Sequence, residues 1–176
     1  VKFQTYRPET IYVHNAGASS YLADAGIVED MATIFADLSM PYEMVAEIAT
    51  YCKEKGIDFM STPFSENDFD VVDPHVTLHK IASYEINHLR LIERAAKSGK
   101  PLILSTGAAT EEEIAWAVDL FHKNRGKDLV LLQCTAKYPA ESDSMNLLTI
   151  PWLKQRFKVE VGLSDHSRDP LIAPIA

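Results

Sequence analysis

The sequence has few cysteines, and this limits the kinds of protein it can be. Its two cysteines, Cys52 and Cys134, form neither a CxxC pair nor a dense framework, which fits a reducing compartment rather than a disulfide-stabilised secreted scaffold. No run reaches the ~18 apolar residues of a membrane span, and no charged segment followed by an apolar one opens the chain as a secretory signal does. These features predict a cytoplasmic protein that does not contact the membrane.

Positive charge is also scarce. The net charge of -8 disfavours non-specific binding of nucleic acid, so an anionic substrate would need a local basic pocket. The length of 176 residues suits one domain, 1–176, with one hydrophobic core. No low-complexity segment or short repeat interrupts it.

Short apolar runs that end in polar residues recur six times along the chain. The runs close at Gln4-Thr5, Ser61-Thr62, Lys80 to Ser83, Ser105-Thr106, Cys134-Thr135 and Ser164-Asp165-His166. Most are continuously apolar, as strands buried on both faces are. This arrangement is typical of a parallel barrel whose active site lies at the carboxyl ends of its strands.

The pattern between the runs predicts helices. Val45, Ile48, Ala49 and Cys52 form an apolar stripe at helical spacing, and Thr110 and Glu113 form a capping box at the start of another helix. We expect strands over 1–5, 57–62, 77–82, 101–106, 129–134 and 159–164, and helices over 41–55, 65–72, 88–98, 110–124 and 146–157. Alternation of strand and helix indicates βαβ units and a parallel sheet. The predicted fold class is therefore a TIM (β/α)8 barrel, present as an incomplete piece of about six βα units, because a closed barrel needs eight.

Both ends suggest a piece of a longer chain. Val1 already lies in a predicted strand, and the residues from Pro170 onward resemble the start of an apolar helix. The connection 7–40 is longer than usual and contains Gly17 and the pattern of a short helix near 29–36. It could form a lid over the site, which we favour, or be a plain insertion.

Two lysines stand inside apolar strands, where an unpaired charge is rarely found. Lys80 lies between Leu78 and Ala82, and Lys2 lies between Val1 and Phe3. Two lysines at one barrel mouth would bind phosphate or carboxylate, whereas a lone one could form a Schiff base with a carbonyl substrate. Both functions stay open on the residues alone.

Further polar residues at the strand ends extend this candidate site. Hydroxyls come from Ser61-Thr62, Ser105-Thr106 and Ser164, and Gly107 could let a backbone N–H approach a ligand. Taken singly, each hydroxyl could equally be a helix cap. His166 could be a general base, a metal ligand or a capping residue, and Tyr138 could position a sugar or cover the barrel mouth.

The motifs resemble those of one family. They are "VKFQTY" at 1–6, "STPFS" at 61–65, "HKIASYEI" at 79–86, "KPLILSTGAAT" at 100–110, "CTAKYPA" at 134–140 and "VGLSDHS" at 161–167. These are similar to segments of the sialic acid synthases, a family that includes N-acetylneuraminate, legionaminate, pseudaminate and spore-coat polysaccharide synthases. The resemblance runs from residue 1 to about residue 170.

The resemblance implies a transferase that condenses phosphoenolpyruvate with an N-acylated amino sugar in sialic acid or polysaccharide biosynthesis. Carbon 3 of phosphoenolpyruvate attacks the sugar aldehyde, water adds at carbon 2, and phosphate leaves. A divalent metal, Mn²⁺ or Mg²⁺, polarises the aldehyde. The implied phosphoenolpyruvate ligands are Lys2, Thr62, Lys80, Ser83, Ser105 and Ser164, the sugar ligands Gln4, Glu85 and Tyr138, and the metal ligand His166.

Several family features are missing from these residues. They are a proton-transfer glutamate on the first barrel strand, a second metal histidine on the last, and an antifreeze-like domain that reaches into the partner's site in family homodimers. We therefore expect this piece alone to be inactive. N-acetylneuraminate synthases often have Asn where this chain has Ala136, so the acceptor sugar stays open.

Two alternatives remain. One is a related phosphoenolpyruvate-dependent synthase that uses a sugar phosphate, although apart from Arg7 the strand ends offer few extra cations. The other is a catalytically inactive barrel used for binding, which the intact Lys2, Lys80 and His166 disfavour.

Overall fold

The computed structural model describes residues 1–11, 17, 26 and 28–176, and its strands form one parallel pair and one four-stranded parallel sheet. The strands are β1 (Lys2–Thr5), β2 (Met60–Pro63), β3 (His79–Ile81), β4 (Leu102–Ser105), β5 (Leu129–Cys134) and β6 (Glu160–Ser164). The described helices are α1 (Pro8–Ile11), α2 (Met31–Leu38), α3 (Tyr42–Glu54), α4 (Glu66–Val72), α5 (Leu89–Ser98), α6 (Glu111–Lys123), α7 (Thr149–Phe157) and α8 (Ile172–Ile175). Strands and helices alternate from β2 to β6, as predicted.

The first of two compact units spans Val1–Val76 and contains the parallel pair β1–β2. The predicted apolar stripe of α3 contributes Val45 and Cys52 to a core with Phe59, Val72 and Val76. Phe3 from β1 stacks on Phe59 with ring centroids 5.7 Å apart. Because side chains alternate along a strand, Lys2 and Gln4 lie on the opposite face from Phe3.

The second unit spans Thr77–Ala176 and contains a four-stranded parallel sheet in the order β3-β4-β5-β6. Sheet order follows chain order because each strand reaches its parallel neighbour through a crossover connection. One face of the sheet is buried, and its side chains include His79, Ile81, Leu102, Leu104, Leu129 and Leu131. The other face, with Lys80, Ile103 and Val130, is half-buried.

Local signals explain where the helices of the second unit begin and end. Thr110 and Glu113 form the predicted capping box of α6, in which each side chain accepts the other's backbone N–H, at 3.3 and 2.8 Å. Gly99 ends α5 in the left-handed conformation, with φ 73°.

Part of the predicted lid lies outside the described residues, which omit 12–16, 18–25 and 27 of the connection 7–40. The expected helix near 29–36 is present as α2, and the Asp30 side chain caps it by accepting the backbone N–H of Ala32 at 2.8 Å. The lid function stays a prediction. Within the described ranges, no helix is long and apolar enough to cross a membrane.

Candidate active site at the carboxyl ends of the strands

In the first unit, three predicted site residues share one face of the β1–β2 pair. Gln4 pairs with Thr62 in register, and Lys2 precedes Gln4 by two positions on the same face. Lys2 and Gln4 are exposed, whereas Thr62 is only 1% exposed. The hydroxyl of Thr62 is buried without a hydrogen-bond partner among the described residues. Buried polar groups are usually hydrogen-bonded, so this hydroxyl is a candidate to bond a ligand.

In the second unit, register places three further candidates on one face of the sheet. Lys80 pairs with Ile103, two positions before Ser105, and Ser164 pairs with Cys134 at the end of β5. Strand alternation therefore directs Lys80, Ser105 and Ser164 to the same, half-buried face. The strand-end pattern of the sequence predicts side chains at this edge, and their function as a substrate site stays a prediction.

A hydrogen-bonded cluster joins the ends of β3 and β4. The Ser83 hydroxyl donates to the Ser105 hydroxyl at 2.9 Å and accepts the backbone N–H of Gly107 at 3.0 Å. The N–H of Gly107 itself is therefore taken up by Ser83, and the approach of other backbone N–H groups to a ligand stays a prediction. Glycine is needed at 107 for space, because a Cβ there would lie 2.9 Å from the Ser83 Oγ and 3.0 Å from the Cys134 Sγ.

Glu85 has a partly buried carboxyl group and lies two residues after Ser83, in the short 3-10 helix Ser83–Glu85. Its Oε2 atom is buried and has no hydrogen-bond partner within the described part of the chain. Burial raises the pKa of Glu85 from 4.5 to about 7, because desolvation disfavours the charged form. Near neutral pH the group can therefore be protonated and can donate a hydrogen bond.

His166 lies just past β6 and faces the segment that follows β5. Its Nδ1 atom is 3.0 Å from the carbonyl oxygen of Thr135 and 3.9 Å from the Cys134 Sγ. A carbonyl only accepts hydrogen bonds, so Nδ1 carries the proton, and in the neutral ring Nε2 holds the lone pair. The Tyr138 ring stacks on the imidazole with centroids 4.0 Å apart and planes at 27°.

This tautomer fits a single histidine ligand for a divalent metal, because Nε2 of a neutral imidazole is a common donor atom. In the described ranges, no group of three or more His, Cys, Asp or Glu side chains could hold a metal ion. Any metal at His166 would therefore need further donors beyond these side chains, and its binding stays a prediction.

Two contacts near His166 were not predicted from the sequence. The hydroxyl of Tyr84, whose side chain is 68% exposed, donates to the carbonyl of Ala136 at 3.3 Å. The Thr135 carbonyl that orients His166 was also not predicted. The adjacency of the β5 and β6 ends could have indicated the second contact, but a backbone acceptor leaves no mark in residue type.

A separate open cleft of about 830 Å³ lies at the opposite, amino ends of β5 and β6, lined by residues that include Lys127, Leu129 and Glu160. It contains none of the predicted site residues. The chemistry-bearing side chains instead lie at the carboxyl ends of the strands, where parallel α/β sheets bind ligands.

Comparison with known proteins agrees with this geometry. A model of the NeuB family matches residues 1–176. The chain is 37% identical over 172 residues to pseudaminic acid synthase of Campylobacter jejuni, which covers 95% of this chain and 49% of the relative. It is 34% identical to N,N'-diacetyllegionaminic acid synthase of the same species, covering 96% of this chain and 52% of the relative. The chain thus spans about half the length of the curated relatives it matches.

A solved structure supports the fold. The chain resembles N-acetylneuraminic acid (sialic acid) synthetase from Leptospira borgpetersenii, solved in complex with citrate, with a TM-score of 0.83 and 30% identity, covering 99% of this chain and 56% of that one. The predicted fold class, an incomplete TIM (β/α)8 barrel, is confirmed by this similarity and by the parallel strand pairing within each of the two sheets.

Proposed function

Because this chain belongs to the NeuB family, we propose that the intact protein condenses phosphoenolpyruvate with an N-acylated amino sugar to give a nonulosonic acid and phosphate. The observation that carries the proposal is the match to the family model along residues 1–176. The convergence of Lys80, Ser105 and Ser164 on one face of the second unit supports it, because this set offers one cation and two hydroxyls to an anion.

Phosphoenolpyruvate needs groups that bind its phosphate and carboxylate. Lys2 and Lys80 would supply positive charge, and the hydroxyls of Thr62, Ser83, Ser105 and Ser164 would donate hydrogen bonds. The unpaired, buried Thr62 hydroxyl supports this function, since among the described residues it has no partner and a ligand oxygen would satisfy it. Lys80 then acts by charge, and no Schiff base is required.

The acceptor sugar would contact Gln4, Glu85 and Tyr138. A carboxyl with a pKa of about 7 suits a hydroxylated substrate, because its protonated form donates and its ionised form accepts hydrogen bonds. The chemistry joins carbon 3 of phosphoenolpyruvate to the sugar aldehyde carbon. Water then adds at carbon 2, and the bond from carbon 2 to the bridging oxygen breaks as phosphate leaves.

A divalent cation, Mn²⁺ or Mg²⁺, is part of this proposal. His166 would provide one ligand through Nε2, and the cation, when bound, would supply Lewis-acid polarisation of the aldehyde oxygen. The hydrogen bond from Nδ1 to the Thr135 carbonyl supports a ligand function, since it leaves the lone pair on Nε2. Loss of activity on chelation, restored by Mn²⁺, would test this part.

A cytoplasmic location and a homodimeric assembly complete the proposal. The first is supported by the cysteine usage of the sequence, and the second rests on the family resemblance. Sedimentation of the intact protein and cell fractionation would test them.

The deciding experiment for the reaction is acceptor-dependent release of phosphate. The intact protein with phosphoenolpyruvate should release phosphate with the acceptors that lead to pseudaminic, legionaminic or N-acetylneuraminic acid, and at least one should give a product of the mass expected for a nonulosonic acid. Turnover only with a phosphorylated sugar would instead favour the sugar-phosphate synthase. No turnover but saturable binding of phosphoenolpyruvate would favour a binding protein.

A further inference from the structure

The residues that follow β5 surround His166 on several sides. We name residues 135–140 the holder segment. Its first residue accepts the hydrogen bond from Nδ1 of His166 through the Thr135 carbonyl, at 3.0 Å. Its last residue, Ala140, donates its backbone N–H to the carbonyl of His166 at 3.0 Å and bridges to Ser167. The segment therefore fixes both the side chain and the backbone of His166.

The Tyr138 ring supplies a further restraint. It stacks on the imidazole with centroids 4.0 Å apart and an interplanar angle of 27°. The hydrogen bond through Nδ1 by itself allows the imidazole to rotate about the N–H···O axis, whereas an aromatic ring stacked on one face restricts that rotation. The tautomer is thus set by Thr135 and the plane of the imidazole by Tyr138.

The holder segment is itself bonded to the 3-10 helices Ser83–Glu85 and Ser142–Ser144. The Thr135 hydroxyl donates to the carbonyl of Ser144 at 2.9 Å, and the Thr135 carbonyl also accepts the backbone N–H of Lys137 at 2.9 Å. The Tyr84 hydroxyl, from the 3-10 helix after β3, donates to the carbonyl of Ala136 at 3.3 Å. These contacts link the position of His166 to elements other than its own strand.

We propose that the holder segment sets the tautomer and plane of His166, and that Tyr138 is a positioning residue that acts through its ring on His166, in addition to any contact with the sugar. This inference rests on the proposed function, in which His166 is a metal ligand. Partners that orient a metal-binding histidine commonly change metal affinity by about 10–100-fold when they are removed.

Two substitutions at one position separate the ring from the hydroxyl. Tyr138→Phe keeps the stacking surface and loses only the hydroxyl, whereas Tyr138→Leu loses the ring. Titration calorimetry of Mn²⁺ on the intact, substrate-free protein should give near-parental affinity for the Phe variant and about tenfold weaker binding for the Leu variant. Tyr51→Leu, an exposed tyrosine of the first unit, serves as the control and should bind as the parent does.

Steady-state kinetics supply the second readout. A ring-dependent function predicts that kcat at limiting Mn²⁺ falls in the Leu variant and recovers at high Mn²⁺, while the Phe variant shows at most a higher KM for the sugar. Tyr138 is 56% exposed, so the Leu variant should fold, and Tyr138→Gln repeats the test if leucine lowers solubility.

Two results would overturn the inference, and they differ. Parental Mn²⁺ affinity in the Leu variant, with the same rise in sugar KM in the Phe and Leu variants, would show that Tyr138 works only through its hydroxyl on the substrate. Parental Mn²⁺ affinity in His166→Ala would remove the metal-ligand function itself, and the inference would fail together with that part of the proposed function.

Discussion

The Ser83 hydroxyl donates a hydrogen bond to the Ser105 hydroxyl across 2.9 Å, and this bond links the ends of β3 and β4. Both residues are buried, at 9% and 2% exposure, and Ser83 also accepts the N–H of Gly107. A network of this kind holds its oxygens in place before a ligand arrives. Its geometry depends on the absence of a side chain at residue 107.

Gly107→Ala should disturb this network. The added Cβ would lie 2.9 Å from the Ser83 Oγ and 3.0 Å from the Cys134 Sγ, closer than carbon contacts allow. We expect a loss of roughly 1–3 kcal/mol in the free energy of unfolding, as in other overpacked sites, and a raised KM for phosphoenolpyruvate.

A double-mutant cycle provides the control, because Ser83→Ala removes one of the two clashing atoms. Part of the stability cost of Gly107→Ala should disappear in that background. Full additivity of the two changes in urea denaturation would contradict the proposed clash.

Lys80→Ala should impair turnover far more than folding. Loss of a charge-assisted contact should reduce the free energy of substrate binding by about 2–3 kcal/mol. This loss would appear as a lower kcat/KM for phosphoenolpyruvate. Lys123→Ala, at an exposed lysine on α6, is the matched control and should leave the kinetics unchanged. Normal saturation by phosphoenolpyruvate in the Lys80→Ala variant would show that this lysine does not bind substrate.

The carboxyl of Glu85 should make stability depend on pH in a defined window. Burial raises its pKa from 4.5 to about 7, so between these values the folded protein binds more protons than the unfolded chain. The contribution of this group to stability is therefore present below pH 4.5 and is lost as the pH rises to about 7.

Glu85→Gln removes this titration. The stability of the parent relative to this variant should fall between about pH 4.5 and pH 7 and then level off. Glu47→Gln, at an exposed position of α3, should run parallel to the parent across the same range. A stability difference between the parent and the Glu85→Gln variant that stays constant with pH would contradict the raised pKa.

Tyr42→Phe should destabilise the first unit. The Tyr42 hydroxyl donates to the fully buried carboxyl of Asp68 at 2.6 Å, and the Ser65 hydroxyl donates to the other carboxyl oxygen at 2.6 Å. Burial and the contact with Asp68 raise the pKa of Tyr42 to about 12, so the hydroxyl stays a donor at neutral pH.

Removal of a hydrogen bond to a buried charged group should cost about 1.5–3 kcal/mol in chemical denaturation. Tyr51→Phe, at an exposed tyrosine of the same helix, should change stability by less than about 0.5 kcal/mol. Equal effects of the two substitutions would mean that the hydrogen bond from Tyr42 to Asp68 does not stabilise the folded protein.

Much of the fold followed from the periodicity of apolar residues. The spacing of Val45 and Cys52 predicted the buried stripe of α3, and the capping box at Thr110 fixed the start of α6. Strand ends were less well predicted. The expected strand 77–82 is only His79–Ile81, because its pairing with β4 ends at Leu104, and composition does not reveal where a ladder stops.

The candidate site was predictable only in part. Residues at neighbouring parallel strand ends must lie close together, which explains why the contact between Ser83 and Ser105 could be expected. The stacking of Tyr138 on His166 depends on the path of the holder segment, and the occupation of the Gly107 N–H depends on a side-chain rotamer. Neither contact is encoded in a residue pattern, so neither could be predicted from the sequence.

The fate of the bridging oxygen of phosphoenolpyruvate tests the proposed reaction most directly. Phosphoenolpyruvate labelled with ¹⁸O at the bridge would be incubated with the intact protein and a productive amino sugar, and the released phosphate analysed by ³¹P NMR. Cleavage between carbon 2 and the bridging oxygen predicts that the phosphate carries the label and that product forms in equal amount. Unlabelled phosphate would mean cleavage between phosphorus and oxygen, and it would contradict the assignment of this chain to a sialic-acid-type synthase reaction.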